Sequence, residues 1–236
     1  MAKLPDLVST LAARDERDPT TLEQFGRLLR EDGVLPQSKR GFGASHMTAA
    51  NAADLFMAVN GCSHPKDGPE TVKRFRALRL EARQVVVSEG SPFEAVAQAE
   101  TFGEALAQLI NDMPAVVDYL KAHIEHVYGD NRTLVDASIY TLMHEFGWNG
   151  RSLPLPIKFT VTLNRHPYSA EILLQVHKKA GAANQRHPDF HAKYSPGDEM
   201  LDGFFGDYAR MKDRQTSVTV SGRTLLALSD TLRGTK

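Results

Sequence analysis

The chain has 236 residues, of which 42% are hydrophobic and 24% are charged, and its formal net charge is −1. This length and composition allow a sizeable core and argue against a disordered or fibrous chain. The single cysteine, Cys62, excludes an internal disulfide and a cysteine-rich zinc site, and no apolar run reaches the roughly 20 residues that span a bilayer. The first residues also lack the layout of a signal peptide. We therefore expect a cytoplasmic protein without a membrane partner.

Apolar residues spaced by three and four positions predict a first helix near the N-terminus, because this spacing places them on one helix face. These residues are Leu4, Leu7, Val8 and Leu11. Thr20 and Glu23 form a capping box, which predicts the start of a second helix. That helix is expected to stop at Gly33, since glycine readily takes left-handed dihedrals at a helix C-terminus.

Residues 37–47 form a predicted basic loop or hairpin that is interrupted by glycine. Thr48 is the expected N-cap of a third helix, which the pair Asn60-Gly61 closes. Residues 63–70 contain Gly, Pro and Ser without apolar periodicity, so they are the predicted linker. This assignment divides the chain into a helical module at 1–62 and a second part at 71–236.

A single basic helix is predicted directly after the linker. Its cations are Lys73, Arg74, Arg76, Arg79 and Arg83. A second capping box at 91–94 predicts a helix that runs toward Leu109. Another helix is expected to start at 112–114 and to end at Gly129, and one more is expected over 135–146. The middle of the chain is thus predicted to be helical.

Alternation of apolar and polar residues predicts strands in the C-terminal part. The segments 157–163 and 172–176 alternate in this way around a turn at 164–169, so we expect an antiparallel hairpin. Val218 and Val220 predict a third strand, and Leu225, Leu226 and Leu228 predict a short terminal helix. The stretch 181–206 is expected to be mostly loop.

The order of two helices, a basic glycine-containing loop and a third helix resembles the winged-helix module of MerR-type DNA-binding regulators. The resemblance rests on 22–29, on 30–36, on the loop Lys39–Gly43 and on the helix opened by Thr48. The resemblance implies a winged-helix-like helical N-terminal module. Together with the helical middle and the C-terminal antiparallel hairpin or small sheet predicted above, the expected fold class is α+β. Residues 33–58 also resemble a stretch of uncharacterised proteins from proteobacterial phages and mobile elements.

A DNA-binding module needs polar side chains that reach base edges and cations that contact phosphates. We assign the first role to the second helix and the second role to the loop, whose glycines allow close approach to the DNA backbone. The candidate residues are Gln24, Arg27, Arg30, Lys39, Arg40, Gly41, Gly43 and His46. The basic helix at 73–83 is a second candidate for phosphate contact. Solvated surface charge is the alternative interpretation of both sets.

Enzymatic motifs are absent from the sequence: there is no P-loop, no G-x-S-x-G elbow and no glycine-rich dinucleotide fingerprint. His123, His126 and His144-Glu145 lack the His-Glu-x-x-His spacing of a zinc site, so we interpret them as surface or core residues. His187 and His191 form a further pair without a third ligand, and Cys62 is interpreted as an incidental thiol. The sequence therefore predicts a protein that is not an enzyme and has no metal or cofactor.

Three functions remain open on these grounds. The first is a transcriptional regulator of a phage or mobile element that binds double-stranded DNA as a homo-oligomer. The second is a DNA-packaging adaptor such as a terminase small subunit, which forms a larger ring. The third is a protein-interaction module without DNA affinity, in which the hairpin at 157–176 pairs with a partner strand.

Overall fold

The computed structural model describes most of both halves of the chain. The described residues are 2–37, 45–85, 91–129, 131–133, 135–136, 157–165, 168–176, 190–197 and 216–234. Seven α-helices and a five-stranded antiparallel sheet lie within them. The α+β class predicted from the sequence is therefore confirmed.

The three N-terminal helices are α1 (Leu4–Ala12), α2 (Pro19–Glu31) and α3 (Ala49–Gly61). All four apolar residues predicted for the buried face of α1 are buried. Thr48 caps α3 as predicted: its hydroxyl accepts from Asn51 N at 3.3 Å, and its own N donates to Asn51 Oδ1 at 3.1 Å. Gly33 follows α2 with φ +78°, which confirms the predicted stop.

The predicted capping box at Thr20 was wrong, because α2 begins at Pro19 and Thr20 therefore lies inside the helix. Asp18 is the N-cap, and its carboxylate accepts from Thr20 N at 2.8 Å. Proline is well suited to the first helical position, since its missing N–H has no partner there in any case.

The segment 63–70 contains a short 3-10 helix, Pro65–Asp67, and the first residues of α4 (Gly68–Arg76). Gly68 is buried against α2, where an added Cβ would lie 3.2 Å from Phe25 Cδ1. Apolar residues on both sides of this segment, from Leu4 to Leu228, belong to one hydrophobic core. Within the expected linker, Gly68 is buried, whereas Ser63, His64, Lys66, Asp67 and Glu70 are exposed.

The prediction of one basic helix over 73–83 was also wrong. Helix α4 ends at Arg76, and Arg79 and Arg83 lie on strand β1 (Arg79–Val85). The buried side chain of Leu78 separates the helix from the strand. Strand β1 pairs with a strand more than 100 residues later in the chain, and such tertiary pairing overrides a local helical pattern.

Two helices cover the middle region, α5 (Glu94–Gln98) and α6 (Phe102–Tyr128). The helix expected to run from 91 to Leu109 is broken at Ala99, and Thr101 with Glu104 caps α6. The helix expected to start at 112–114 is instead part of α6, which runs through Pro114 and ends before Gly129 as predicted. Packing of α6 on α3 and on the C-terminal helix offsets the roughly 3 kcal/mol cost of an internal proline. Most of 135–146 lies outside the described residues.

The remaining strands are β2 (Ile157–Arg165), β3 (Tyr168–Val176), β4 (Phe190–Ser195) and β5 (Ser217–Ser221). The predicted hairpin is confirmed, since β2 and β3 pair in register from Ile157↔Val176 to Arg165↔Tyr168. The third strand at 217–221 and the terminal helix, α7 (Gly222–Arg233), are also confirmed. Strand β4 lies in the stretch that was expected to be mostly loop, and the sequence analysis did not predict this strand.

The strand order is β1-β4-β3-β2-β5, and every pairing is antiparallel. Both strands of the hairpin are therefore interior, since β2 also pairs with β5 and β3 also pairs with β4. The hairpin offers no free edge to a partner strand, contrary to the pairing expected in the third hypothesis. Within the described part of the chain, the edges of the sheet are formed by β1 and β5.

One face of the sheet packs against the helices and carries the core. Its buried residues are Phe159, Val161, Leu163, Ala170, Ile172, Leu174, Phe190, Ala192 and Tyr194. Aromatic pairs join the two layers: Phe93 stacks on Phe190 at 5.0 Å between ring centroids, and Phe102 lies 5.4 Å from Tyr194. Aromatic pairs at such distances add to the stabilisation from burial alone.

Gly222 lets α7 start directly over Phe159 of β2. A Cβ at this position would lie 2.2 Å from Phe159 Cδ1, and the Phe159 side chain is buried. We expect Gly222→Ala to lower the free energy of unfolding by about 1–3 kcal/mol, because the overlap must be relieved by shifting the helix or the ring. Arg223→Ala, at the next and exposed position, is the matched control and should change it by less than about 0.5 kcal/mol. Equal denaturation midpoints for both variants would contradict this account.

Candidate nucleic-acid interface

The residues predicted to reach base edges lie on α2, and they differ in accessibility. Gln24 and Arg27 are exposed, whereas Arg30 is half-buried. Arg27 Nε lies 3.6 Å from Glu31 Oε1, and 68% of the Arg27 side chain is exposed, so this ion pair is easily broken. Arg30 Nε is buried and has no hydrogen-bond partner among the described residues. Gln24 and Arg27 are thus the accessible members of the set.

A groove of about 960 Å³ lies between α1 and α2. Its lining includes the apolar residues Leu4, Pro5, Val8, Ala12 and Ala13 of α1 and of the turn after it. The charged side of the groove comes from α2, and it includes Arg27 and Arg30. The two arginines predicted for DNA contact therefore share one open depression.

Backbone hydrogen bonds hold both ends of the predicted basic loop. Leu35 N donates to Leu29 O of α2, and Met47 N donates to Ala2 O, both at 3.0 Å. The side chains of Leu35 and Met47 are buried, and His46 beside Met47 is exposed. Lys39, Arg40, Gly41 and Gly43 lie outside the described residues. The loop that carries them begins and ends against the α1–α2 unit.

The second candidate set, on α4 and β1, is paired with acidic side chains. Lys73 Nζ lies 2.9 Å from Asp32 Oδ2, Arg74 Nε lies 2.8 Å from Glu70 Oε1, and Arg79 Nη1 lies 3.5 Å from Glu100 Oε2. Arg74 also lies over the ring of Tyr168, 5.2 Å from its centroid. The Arg83 side chain lies outside the described part. These carboxylates already compete with a phosphate for the cations.

Arg76, also in that set, pairs with the buried carboxylate of Asp54 in α3, which is 3% exposed. Burial raises the pKa of Asp54, and the hydrogen bond from Arg76 opposes this in part. A carboxylate inside the apolar run Ala52–Val59 was the sequence signal for this pair, and the sequence analysis missed it. Loss of Arg76 would leave a buried charge uncompensated, so we assign this arginine a structural role.

The histidines and the cysteine form no metal site in the described part of the chain, where no three His, Cys, Asp or Glu side chains cluster. His123 is half-buried and stacks on Tyr119, while His126 is exposed. His191 Nε2 lies 2.5 Å from Glu171 Oε1 on the polar face of the sheet. Cys62 is buried, and burial raises the pKa of its thiol, which disfavours the reactive thiolate.

Comparison of the chain with protein-family models, with curated proteins and with solved structures found no match. None of the helices in the described ranges has both the length and the apolar character that membrane crossing requires.

The turn between α1 and α2 is held by an ion pair. Arg17 Nε and Nη2 donate to the two carboxylate oxygens of Asp15 at 2.9 and 2.5 Å. The guanidinium also lies over the ring of Phe25, 5.4 Å from its centroid, and Nη2 donates to Val59 O at 2.6 Å. This network fixes α2 relative to α3, so it positions the residues proposed for DNA contact.

The hydrogen bond from Arg17 is the main cause that lowers the pKa of Asp15 below its ordinary value. The ionised carboxylate therefore stabilises the fold above a pH of about 4, and this contribution is lost as the pH falls through the lowered pKa. We expect Asp15→Asn to lower the free energy of unfolding by about 1–2 kcal/mol at pH 7. The difference from the unsubstituted protein should shrink below a pH of about 4.

Denaturant titrations at several pH values measure this dependence. Asp118→Asn is the control, since the Asp118 side chain is 80% exposed and lies 3.9 Å from its partner Lys121. A loss at Asp15→Asn that stays constant with pH would contradict the ionic account.

Proposed function

We propose that the protein binds double-stranded DNA through α1, α2 and the basic loop, and that it acts as a dimeric transcriptional regulator of a phage or mobile element. The observation that carries the proposal is the anchoring of both flanks of the loop on the α1–α2 unit, through Leu29 O of α2 and through Ala2 O just before α1. The exposed Gln24 and Arg27 lie on this unit. Lys39 and Arg40 belong in the sequence to the segment between its two anchored flanks. A DNA-binding module needs this combination of cations and base-reading side chains.

The chemistry of these side chains divides the roles. Glutamine and arginine make paired hydrogen bonds with adenine and guanine edges in the major groove, so Gln24 and Arg27 are the proposed base contacts. Lys39 and Arg40 are the proposed phosphate contacts, and His46 flanks them. Arg30 is proposed to support Arg27 from within the groove rather than to reach a base, because it is half-buried.

The edge of β5 supports a dimer. Arg165 N donates to Thr216 O at 2.9 Å, which makes these two residues a hydrogen-bonded pair. In an antiparallel ladder such pairs alternate, so the backbone groups of Ser217, Thr219 and Ser221 point away from β2. The outer edge of β5 pairs with none of the described strands.

The sequence of β5, Ser-Val-Thr-Val-Ser, is the same in both directions around Thr219. If two copies pair antiparallel about a two-fold axis at Thr219, each residue lies opposite a residue of the same type in the other copy. The strand also has no charged residue and no proline, which are the usual guards of an exposed edge. We therefore propose that two copies pair through β5, as the two-fold symmetry of paired operator half-sites requires.

Binding to a selected operator fragment at several salt concentrations tests the DNA contacts. Replacing Arg27 or Gln24 by Ala should cost about 1–3 kcal/mol on the preferred sequence and relax specificity at one base pair. The double change Lys39→Ala with Arg40→Ala should weaken binding to all sequences and reduce the slope of log K against log salt by about 2. Arg74→Ala is the control and should bind as the unsubstituted protein does. Unchanged binding by all of the α2 and loop variants would overturn the proposal.

Sedimentation of Thr219→Lys tests the dimer. The substitution places two like charges opposite each other on the proposed axis, and we expect it to raise the dimer dissociation constant at least about tenfold. Thr219→Ser keeps the hydroxyl that lies 3.1 Å from Thr162 Oγ1, so it should leave the dimer intact. A ring larger than a dimer in the unsubstituted protein would instead favour the packaging adaptor.

A further inference from the structure

Two arginines from distant parts of the chain meet at the C-terminal end of α3. Arg17 precedes α2, and its Nη1 donates to Cys62 O at 3.4 Å. Arg165 ends β2, and its Nη2 donates to Asn60 O at 3.3 Å. Cations suit this position, because the free carbonyls at a helix C-terminus carry partial negative charge. Both arginines thus cap α3, Arg17 through Nη1 and Arg165 through Nη2.

Capping does not explain the remaining donor of Arg165. Its Nε is buried and has no hydrogen-bond partner in the described part of the chain. Arg17 is neutralised by Asp15, whereas no carboxylate of the described residues forms an ion pair with Arg165. Burial is the main cause that lowers the pKa of Arg165, and the neighbouring Arg17 lowers it further. Arg165 is thus a half-buried cation with neutral hydrogen-bond acceptors and without a carboxylate partner among the described residues. Such a group favours an anionic ligand, because an anion would compensate its charge.

A pocket of about 300 Å³ opens beside this cation. Its lining residues are Asp15, Arg17, Val59, Asn60, Cys62, Ser63, Arg165 and Val218. Ser63 Oγ accepts from Arg165 Nη1 at 2.6 Å, which leaves the hydroxyl hydrogen of Ser63 free to donate. The Cys62 thiol stays neutral because burial raises its pKa, so it does not compete as an anion.

We propose that this pocket binds a phosphate group through Arg165 and Ser63, with Arg17 supplying the second positive charge. The planar fork of arginine matches phosphate oxygens, and Arg165 Nε and the Ser63 hydroxyl would donate to different oxygens of one group. Asp15 is the single acid in the lining, and Arg17 engages both of its oxygens. Two guanidinium groups against one carboxylate leave one positive charge for the ligand. The phosphate is either a free ion or ester, or a phosphodiester of the nucleic-acid backbone.

Calorimetric titration of the full chain with inorganic phosphate, at constant ionic strength set by chloride, tests the site. We expect saturable binding at one site, which Arg165→Lys weakens at least about tenfold because the lysine keeps the charge but loses the Nε donor. Arg223→Lys, on the exposed face of α7, is the matched control and should bind phosphate as the unsubstituted protein does. Absence of phosphate binding by the unsubstituted protein, together with equal DNA binding by Arg165→Lys, would overturn the proposal.

Ser63→Ala keeps the test decisive if Arg165→Lys folds poorly. Ser63 is exposed, so this change should leave stability intact and still weaken phosphate binding several-fold. An unchanged affinity in Ser63→Ala would also count against the site.

A duplex that competes with inorganic phosphate, and that Arg165→Lys binds less tightly, identifies the ligand as backbone phosphate. Phosphate binding that duplex DNA leaves unchanged identifies a free ion or ester. The site does not depend on the proposed regulator role, since phosphate titration needs no DNA.

Discussion

Helix α3 lies in the centre of the molecule, where it packs against α2, α4, α6 and β2, and nine of its thirteen residues are buried. A helix that is enclosed in this way cannot satisfy its polar groups with water, so each of them needs a partner from the protein. Arg76 neutralises Asp54 in the body of the helix, and Arg17 and Arg165 meet its last carbonyls. The burial of α3 thus draws three distant arginines to one element.

The described cations fall into two groups, those paired with carboxylates of the fold and those that remain accessible. Lys73, Arg74, Arg76 and Arg79 lie next to carboxylates. The Arg74 pair lies within α4, and the other three join separate segments of the fold. Arg27 is exposed on α2 and bound only by a loose pair within its own helix. A chain with 28 basic and 29 acidic residues does not attract DNA through its overall charge. Any DNA affinity must come from a local set of cations, and among the described residues Arg27 of α2 is a cation that the fold leaves accessible.

Predictions from the sequence were correct for features that depend on interactions between residues close together in the chain. Thr48 caps α3, and Gly33 ends α2, because the hydrogen bonds and dihedrals concerned lie within a few residues. The hairpin of β2 and β3 followed from alternation and a short turn. Strand β4 also alternates, since Phe190, Ala192 and Tyr194 are buried. It is short, however, and its partners are not adjacent in sequence: β1 is remote, and a long segment separates β3 from β4. The sequence analysis therefore did not predict it. The boundary between α4 and β1 depends on the same remote pairing.

By itself the sequence determined the helices of the N-terminal unit, the α+β class and the hairpin, since these depend on periodicity, caps and turns. Only the tertiary structure decided that Gly68 is buried against α2, that the hairpin is interior and that Lys73, Arg74, Arg76 and Arg79 are paired. It also brought Arg17 and Arg165 together beside Ser63. Ion pairing and burial depend on contacts between residues that are far apart in the chain. A local sequence pattern therefore does not predict which residues will be in contact.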